Sequence, residues 1–228
     1  MSDPATKTNG IILESTADGS HTLFVPALNE HYHSVFGAHQ ESTHVFIEAG
    51  LEYASEHFQE INLLEVGFGT GLNAFLTLLK MGNHQISYTA IEAYPVDMEI
   101  VDRLNYPEIS GSREVFNRLH SVDWERFVDI VPGFRLRKIQ SAIQVCDLPD
   151  NFFQLVYFDA FAPNVQPELW TAEVFLKIYQ AMTAGGILVT YSSKGIVKQN
   201  LRAAGFRVDR LPGAAGKRHM LRATKTEG

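Results

Sequence analysis

Three observations predict an α/β fold built around one mostly parallel sheet. Short apolar runs alternate with segments of helical period along most of the chain. One of those runs stops at the glycine-rich turn Glu65-Val66-Gly67-Phe68-Gly69-Thr70-Gly71, after which a helical pattern begins. The last two β-prone runs, near residues 206–211 and 219–223, follow each other directly. Alternating strands and helices imply a parallel sheet covered on both faces, and the closing pair implies an antiparallel edge. The expectation is a Rossmann-like domain with a mostly parallel seven-stranded sheet and an antiparallel edge strand. Residues 1–42 are expected to form a small β-hairpin extension, and residues 43–228 the main domain.

The elements follow in order. Gly10 to Ser15 and His21 to Pro26 are β-prone runs joined through Ala17-Asp18-Gly19, an Asp-Gly connection suited to a hairpin. Thr43 to Phe58 reads as a helix, although Val45, Phe46 and Ile47 blur its pattern. The apolar run from Ile61 ends in the glycine turn, and Leu72, Phe75, Leu76 and Leu79 then mark one face of a helix. Ile86 to Ala93 is a second strand, with helical spacing from Val96 to Asn105 behind it. Arg135 to Gln140, Leu155 to Phe158 and Ile187 to Tyr191 supply three more strands. Val197 to Ala204 is a helix, and Phe206 to Leu211 and His219 to Ala223 close the sheet.

At 228 residues, with 45% hydrophobic and 20% charged residues, the chain has the composition of an ordinary globular domain. No window approaches the roughly 20 apolar residues of a membrane span, and the start MSDPATKTNG lacks the basic and apolar segments of a signal peptide. A cytoplasmic protein with no membrane contact is therefore expected. The single cysteine, Cys146, rules out an intramolecular disulfide and a cysteine-only metal cluster, and reads as a packed thiol. The net charge of −7 is unevenly spread. From Gly186 onward nine Lys or Arg face two acids, a charge of +7, against −14 on the preceding 185 residues. That segment reads equally as a solvated surface or as a nucleic-acid face.

The chemistry concentrates at the strand ends. Glycines at 67, 69 and 71 let the backbone turn sharply and let a ligand approach closely. A dinucleotide fingerprint requires its third glycine at position 72, which is Leu72, so the spacing favours a nucleoside without a pyrophosphate and ranks S-adenosylmethionine above NAD. Glu92 ends the second strand about 20 residues past the turn, where an acid accepts ribose hydroxyls. Asp159, at the end of the fourth strand in Asp159-Ala160-Phe161-Ala162-Pro163, is the catalytic candidate. A carboxylate there aligns an amine acceptor and takes its proton, and the alternative is a loop-stabilising or capping role. Tyr32 and His33 are candidates to close the substrate pocket. Trp170 is read as core, with base stacking as its alternative. Lys217 and Arg218, after a small-residue run, suit phosphate contact. His21, His31, His33, His39 and His44 crowd the N-terminal region, but no compact carboxylate or cysteine set joins them, so no metal is expected.

The run GFGTGLN, DAFAP followed by QPELWT, GGILVTYSSKG, LRAAGFRV and GKRHM together resemble the methyltransferase domain of MnmC, a bacterial tRNA-modification enzyme. The resemblance spans nearly the whole chain, and the joint order of five motifs is far more specific than any one. It implies a class I S-adenosylmethionine-dependent methyltransferase. The implied reaction turns 5-aminomethyl-(2-thio)uridine at the tRNA wobble position into its 5-methylaminomethyl form. By motif position, Glu65, Gly67, Phe68, Gly69, Thr70, Gly71, Asn73, Glu92 and Ser141 are implied to bind the cofactor. Asp159 is implied to face the amine and Phe161, Pro163, Lys217 and Arg218 the substrate, beside Tyr32 and His33 as the candidates to close the pocket. The family's Asp-Gly-Phe-Ala-Pro has Ala160 here and its Lys-Arg-Glu-Met has His219. An acid after the third strand is absent, with Ser141 about there and Asp147 farther on.

Bifunctional members carry a fused flavin-dependent oxidoreductase domain, which this sequence lacks. A stand-alone, MnmD-type form is the expectation, with tRNA as partner and a separate flavin-dependent oxidoreductase acting upstream. The competing readings are a small-molecule N- or O-methyltransferase and a non-catalytic RNA- or nucleoside-binding module. The intact glycine turn with Glu92 and Asp159 argues against the module.

Overall fold

The structure, a computed structural model, describes residues 10–226. The N-terminal residues on which the leader reading rests lie outside the described residues. The main sheet has eight strands: β4 (Glu60–Val66), β5 (Gln85–Ile91), β6 (Val128–Val131), β7 (Phe134–Ile139), β8 (Phe153–Phe158), β9 (Met182–Thr190), β10 (Arg207–Pro212) and β11 (His219–Thr224). Their order is β10-β11-β9-β8-β4-β5-β7-β6. The five central strands run parallel, and both flanks are antiparallel. Seven strands were expected. The extra one, β6, is a short edge strand in which only Ile130 is buried.

Strand periodicity explains the two cores. Along β4, Leu63 packs into one apolar cluster and Leu64 and Val66 into the other, and β8 splits Leu155 and Tyr157 from Val156 and Phe158 in the same way. One face is covered by α3 (Leu72–Lys80), α6 (Arg113–Ser121) and a π-helical stretch, Thr43–Glu52. The other is covered by α7 (Ala172–Ala181) and α8 (Gly195–Ala203). Ser112 caps α6 and Thr171 caps α7, each accepting the N–H three residues on. Cys146 and Trp170 lie in the second core, and Trp170 Nε1 donates to Phe161 O at 2.8 Å, so its indole is not free to stack on a base.

The N-terminal unit is a three-stranded antiparallel sheet, larger than the expected hairpin: β1 (Ile12–Ser15), β2 (His21–Val25) and β3 (Glu30–His31). Asp18 closes the β1–β2 turn, taking Ser20 N–H on one oxygen and Gln40 N–H on the other. It thereby ties the hairpin to α1 (Ala38–Ser42). α1 continues without a break into the π-helical stretch and α2 (Tyr53–Ser55). The expected boundary at residue 42 falls inside this helical run, and Leu23 of β2 is buried in the main core. Between β5 and α6 the helix expected over Val96–Asn105 is reduced to α4 (Met98–Val101), and a separate α5 (Tyr106–Ser110) follows it.

Candidate active site

The carboxyl ends of β4, β5 and β8 meet where the chain's path across the sheet reverses direction at β4, the usual crevice of an open α/β sheet. A cavity of about 780 Å³ opens there. Its wall includes Tyr32, His33, Gly67, Phe68, Gly69, Thr70, Glu92, Ser141, Asp159, Phe161, Lys217 and Arg218, twelve of the residues singled out from the sequence. The other four stand behind it. Glu65 is fully buried, because the alternation of β4 turns it toward α3. Asn73 is buried on α3, Gly71 starts that helix in the left-handed region, and Pro163 is buried in its loop.

The turn after β4 packs with no room to spare. A Cβ on Gly67 (φ 94°) would lie 2.6 Å from the Asp159 carbonyl oxygen, and one on Gly69 (φ 49°) 3.0 Å from the Tyr32 ring. Glu92 reaches back to this turn, accepting Gly69 N–H at 2.9 Å and Tyr94 N–H at 2.8 Å. Burial pushes its carboxyl above the usual range, and those N–H groups oppose the rise. His33 joins the N-terminal unit to the turn through a 2.8 Å hydrogen bond with Thr70 Oγ1, and burial takes its ring down to about 4, so it is neutral near pH 7. Tyr32 packs edge-on against Phe161, ring centroids 5.0 Å apart.

Asp159 follows β8 directly. Its Oδ2 accepts from Asn73 Nδ2 at 2.8 Å, and the same nitrogen donates to Glu65 Oε1 at 3.0 Å. Burial pushes Asp159 up to about 7; the Asn73 hydrogen bond and Lys217 pull it down, and Glu41 pushes it further up. Glu65 is driven well above the carboxylate range by burial and is the neutral member of this pair.

Among the wall residues that escaped the sequence reading, two stand beside Asp159. Glu41 of α1 is buried and pairs with Lys217, and Tyr191, just after β9, donates from Oη to Ala160 O at 2.8 Å. The strand-end rule that marked Asp159 marks Tyr191 as well, whereas Glu41 meets a partner 176 residues away and leaves no local signal. Lys217 thus points inward, toward Glu41 and the Tyr191 ring, and does not present a free phosphate contact. Arg218 is exposed at the mouth. The five N-terminal histidines go to separate partners: Arg103 O, Glu14, Thr70, Ser110, and Glu48 with Pro212 O. Among the described residues no helix is long and apolar enough to cross a membrane, and no group of three or more His, Cys, Asp or Glu is placed to hold a metal.

The family described as S-adenosyl-L-methionine-dependent methyltransferase matches residues 133–226. The chain is 30% identical, over 96% of its length, to the tRNA 5-methylaminomethyl-2-thiouridine biosynthesis bifunctional protein MnmC of Magnetococcus marinus, of which it covers 35%. It is 29% identical to the same-named protein of Burkholderia multivorans, with 88% of this chain and 33% of the relative covered. The chain therefore spans about a third of the length of these curated relatives. The crystal structure of MNMC2 from Aquifex aeolicus superposes with a TM-score of 0.78 at 27% identity, covering 97% of this chain and 72% of the other.

The cavity fits the family's cofactor. The volume lies in the range of nucleotide-sized sites. Bare glycine backbone forms the floor where side chains would intrude, and Glu92 sets a half-buried carboxylate at the end of β5. Ser141, Ala142, Ile143 and Gln144 after β7 complete that side, with no acid among them, and Asp147 is exposed and off the wall.

Proposed function

We propose that this methyltransferase N-methylates 5-aminomethyl-(2-thio)uridine at the wobble position of tRNA, giving the 5-methylaminomethyl product. The observation that carries the reading is Asp159: a carboxylate deep in the cavity, one oxygen held by Asn73 and the other without a hydrogen bond among the described residues, beside the turn suited to the cofactor. The relatives' names, which specify tRNA 5-methylaminomethyl-2-thiouridine biosynthesis, support the substrate.

Gly67, Gly69, Thr70, Glu92 and Ser141 are assigned to the cofactor, which supplies an electrophilic methyl group when bound. Glu65, Asn73 and Gly71 support them from behind. Tyr32, His33, Phe161 and Arg218 are assigned to the acceptor nucleotide, with Pro163 stiffening the Phe161 loop. The free oxygen of Asp159 takes a proton from the alkylammonium before the N–C bond forms and orients the neutral amine. An alkylammonium of pKa ~10 cannot attack until that proton leaves. Poised near 7, Asp159 is about half ionised at neutral pH and basic enough to serve. The reading places the protein in the cytoplasm with its tRNA, and residues 10–42 as an extension packed on the catalytic domain. A flavin-dependent oxidoreductase activity would act before it to supply the aminomethyl group.

The test is methyl transfer from labelled S-adenosylmethionine to tRNA lacking the terminal methyl, with nucleoside mass spectrometry. Formation of 5-methylaminomethyl uridine by wild type and its loss in Asp159→Ala supports the reading. Cofactor binding with unmodified tRNA turns the search to small-molecule N- or O-acceptors.

A further inference from the structure

Three segments distant in sequence converge on one ammonium group beside Asp159. Glu41, on α1, accepts Ser34 N–H at 2.9 Å on Oε2 and the Lys217 ammonium on Oε1. Lys217 Nζ also lies 4.1 Å from the centroid of the Tyr191 ring. Tyr191 in turn donates to the carbonyl of Ala160, the neighbour of Asp159. A carboxylate on one side and an aromatic face on the other form a well-satisfied seat for a primary ammonium. Phe36 locks the same loops together: its ring sits where a Cβ on Gly216 would be, 2.5 Å away, so the loop carrying Lys217 lies flat against residues 34–37.

Asp159 is faced by Asn73 from α3, Glu65 and Tyr88 from β4 and β5, Glu41 from α1, Tyr191 after β9 and Lys217 from the β10–β11 loop. Lys217 is the cation in this set. A flexible lysine stem next to a poorly solvated carboxylate pairs with it unless a stronger partner holds it elsewhere. We infer that Glu41 is a positioning residue that holds the Lys217 ammonium on the Tyr191 face and off Asp159, leaving the second Asp159 oxygen for the acceptor amine. The inference rests on the reading of Asp159 as the group that meets the amine. Held nearby without contact, the lysine charge favours both ionised Asp159 and the neutral form of an incoming amine, the two states that proton transfer requires.

The test compares wild type, Glu41→Gln, Glu41→Asp, Lys217→Met and the double variant Glu41→Gln/Lys217→Met. Glu41→Gln keeps the size of the side chain and an acceptor for Ser34 N–H while removing the charge that holds the lysine. Asp159 titration is followed in the free protein by NMR of 13C-labelled aspartate carboxyls. In Glu41→Gln, Lys217 turns to Asp159, which then titrates roughly 1–3 pH units lower. In the double variant the titration returns toward wild type. For methyl transfer, kcat of Glu41→Gln falls roughly a hundredfold through lost alignment while KM for S-adenosylmethionine is unchanged. The double variant is more active than Glu41→Gln, and Glu41→Asp lies between wild type and Glu41→Gln. Unchanged Asp159 titration in Glu41→Gln overturns the inference, and so does a double variant no more active than that single one. If wild type leaves tRNA unmodified while the titration pattern holds, the role of Glu41 stands and the acceptor reading falls.

Discussion

Asn73 Nδ2 lies 2.8 Å from Asp159 Oδ2 and 3.0 Å from Glu65 Oε1, so a single side-chain amide divides its two hydrogens between two carboxyl groups. Two ionised carboxylates so close in a dry site would repel, and the burial of Glu65 settles which one keeps its proton. Asn73 then stabilises the charge on Asp159. Replacing it with Ala removes a hydrogen bond to the ionised form and raises the pH at which Asp159 loses its proton. The acid limb of the kcat/KM profile, expected near 7 in wild type, moves to higher pH in Asn73→Ala. The profile is measured by initial rates on tRNA, and an unmoved limb would sink the assignment of Asp159 as the base.

The same perturbation sets a stability prediction of opposite character. The folded pKa of Asp159, about 7, lies above the 3.8 of an unperturbed Asp. Between those values the native state binds more protons than the unfolded state, so stability falls as pH rises from about 4 to about 7 and is level above that. Asp159→Asn abolishes this loss. The variant is expected to be inactive yet more stable than wild type at pH 8, by ~2 kcal/mol after allowing for water in the open cavity. The gain shrinks toward zero near pH 4. Urea denaturation at both pH values checks it, and a destabilised variant at pH 8 would contradict the burial of the ionised carboxylate.

At the turn, Gly67→Ala forces a Cβ into a left-handed backbone and onto the Asp159 carbonyl oxygen, 2.6 Å away. The fold is expected to lose about 1–3 kcal/mol, and binding of S-adenosylhomocysteine is expected to weaken because the floor of the cavity shifts. Gly82→Ala is the control, since it shares the left-handed φ (58°) with nothing within 4 Å. Strain alone predicts comparable losses of stability at both sites. Weakened ligand binding is expected only at Gly67, and calorimetric titration separates the two.

Much of this fold is written locally. Buried parallel strands appear as dense apolar runs, and the glycine turn announces itself by residue types that positive φ selects. Weak signals belong to short or interrupted elements: β6 hides only Ile130, and the helix expected from Val96 to Asn105 is cut because Asp97 is extended and Tyr106-Pro107 opens a new helix. The misplacement of Glu65 has a simple origin, since a strand alternates its side chains and proximity to the turn does not decide which face an acid takes. Glu41 was invisible for a different reason: its meaning comes from Lys217 and Asp159, brought to it only by the closed fold.

The inward-facing lysine also divides the two members of Lys217-Arg218. Lys217 is engaged with Glu41 and Tyr191, while Arg218 is exposed at the cavity mouth with no ion pair among the described residues. If tRNA is the acceptor, Arg218 is the one placed to neutralise a phosphate. Each such contact releases counterions and contributes about 0.7–0.9 to the slope of log K against log salt. Arg218→Ala is therefore expected to weaken tRNA binding at low salt and to flatten that slope by about 1. Lys217→Met is expected to leave the slope nearly unchanged while altering the pH dependence of transfer, because its charge acts on Asp159 rather than on phosphate. Fluorescence anisotropy over 50–300 mM salt, on the order used for counterion-release analysis, distinguishes the two. Equal flattening by both variants would mean that Lys217 leaves Glu41 when RNA arrives, and no flattening by Arg218→Ala would move the RNA-binding face away from this mouth.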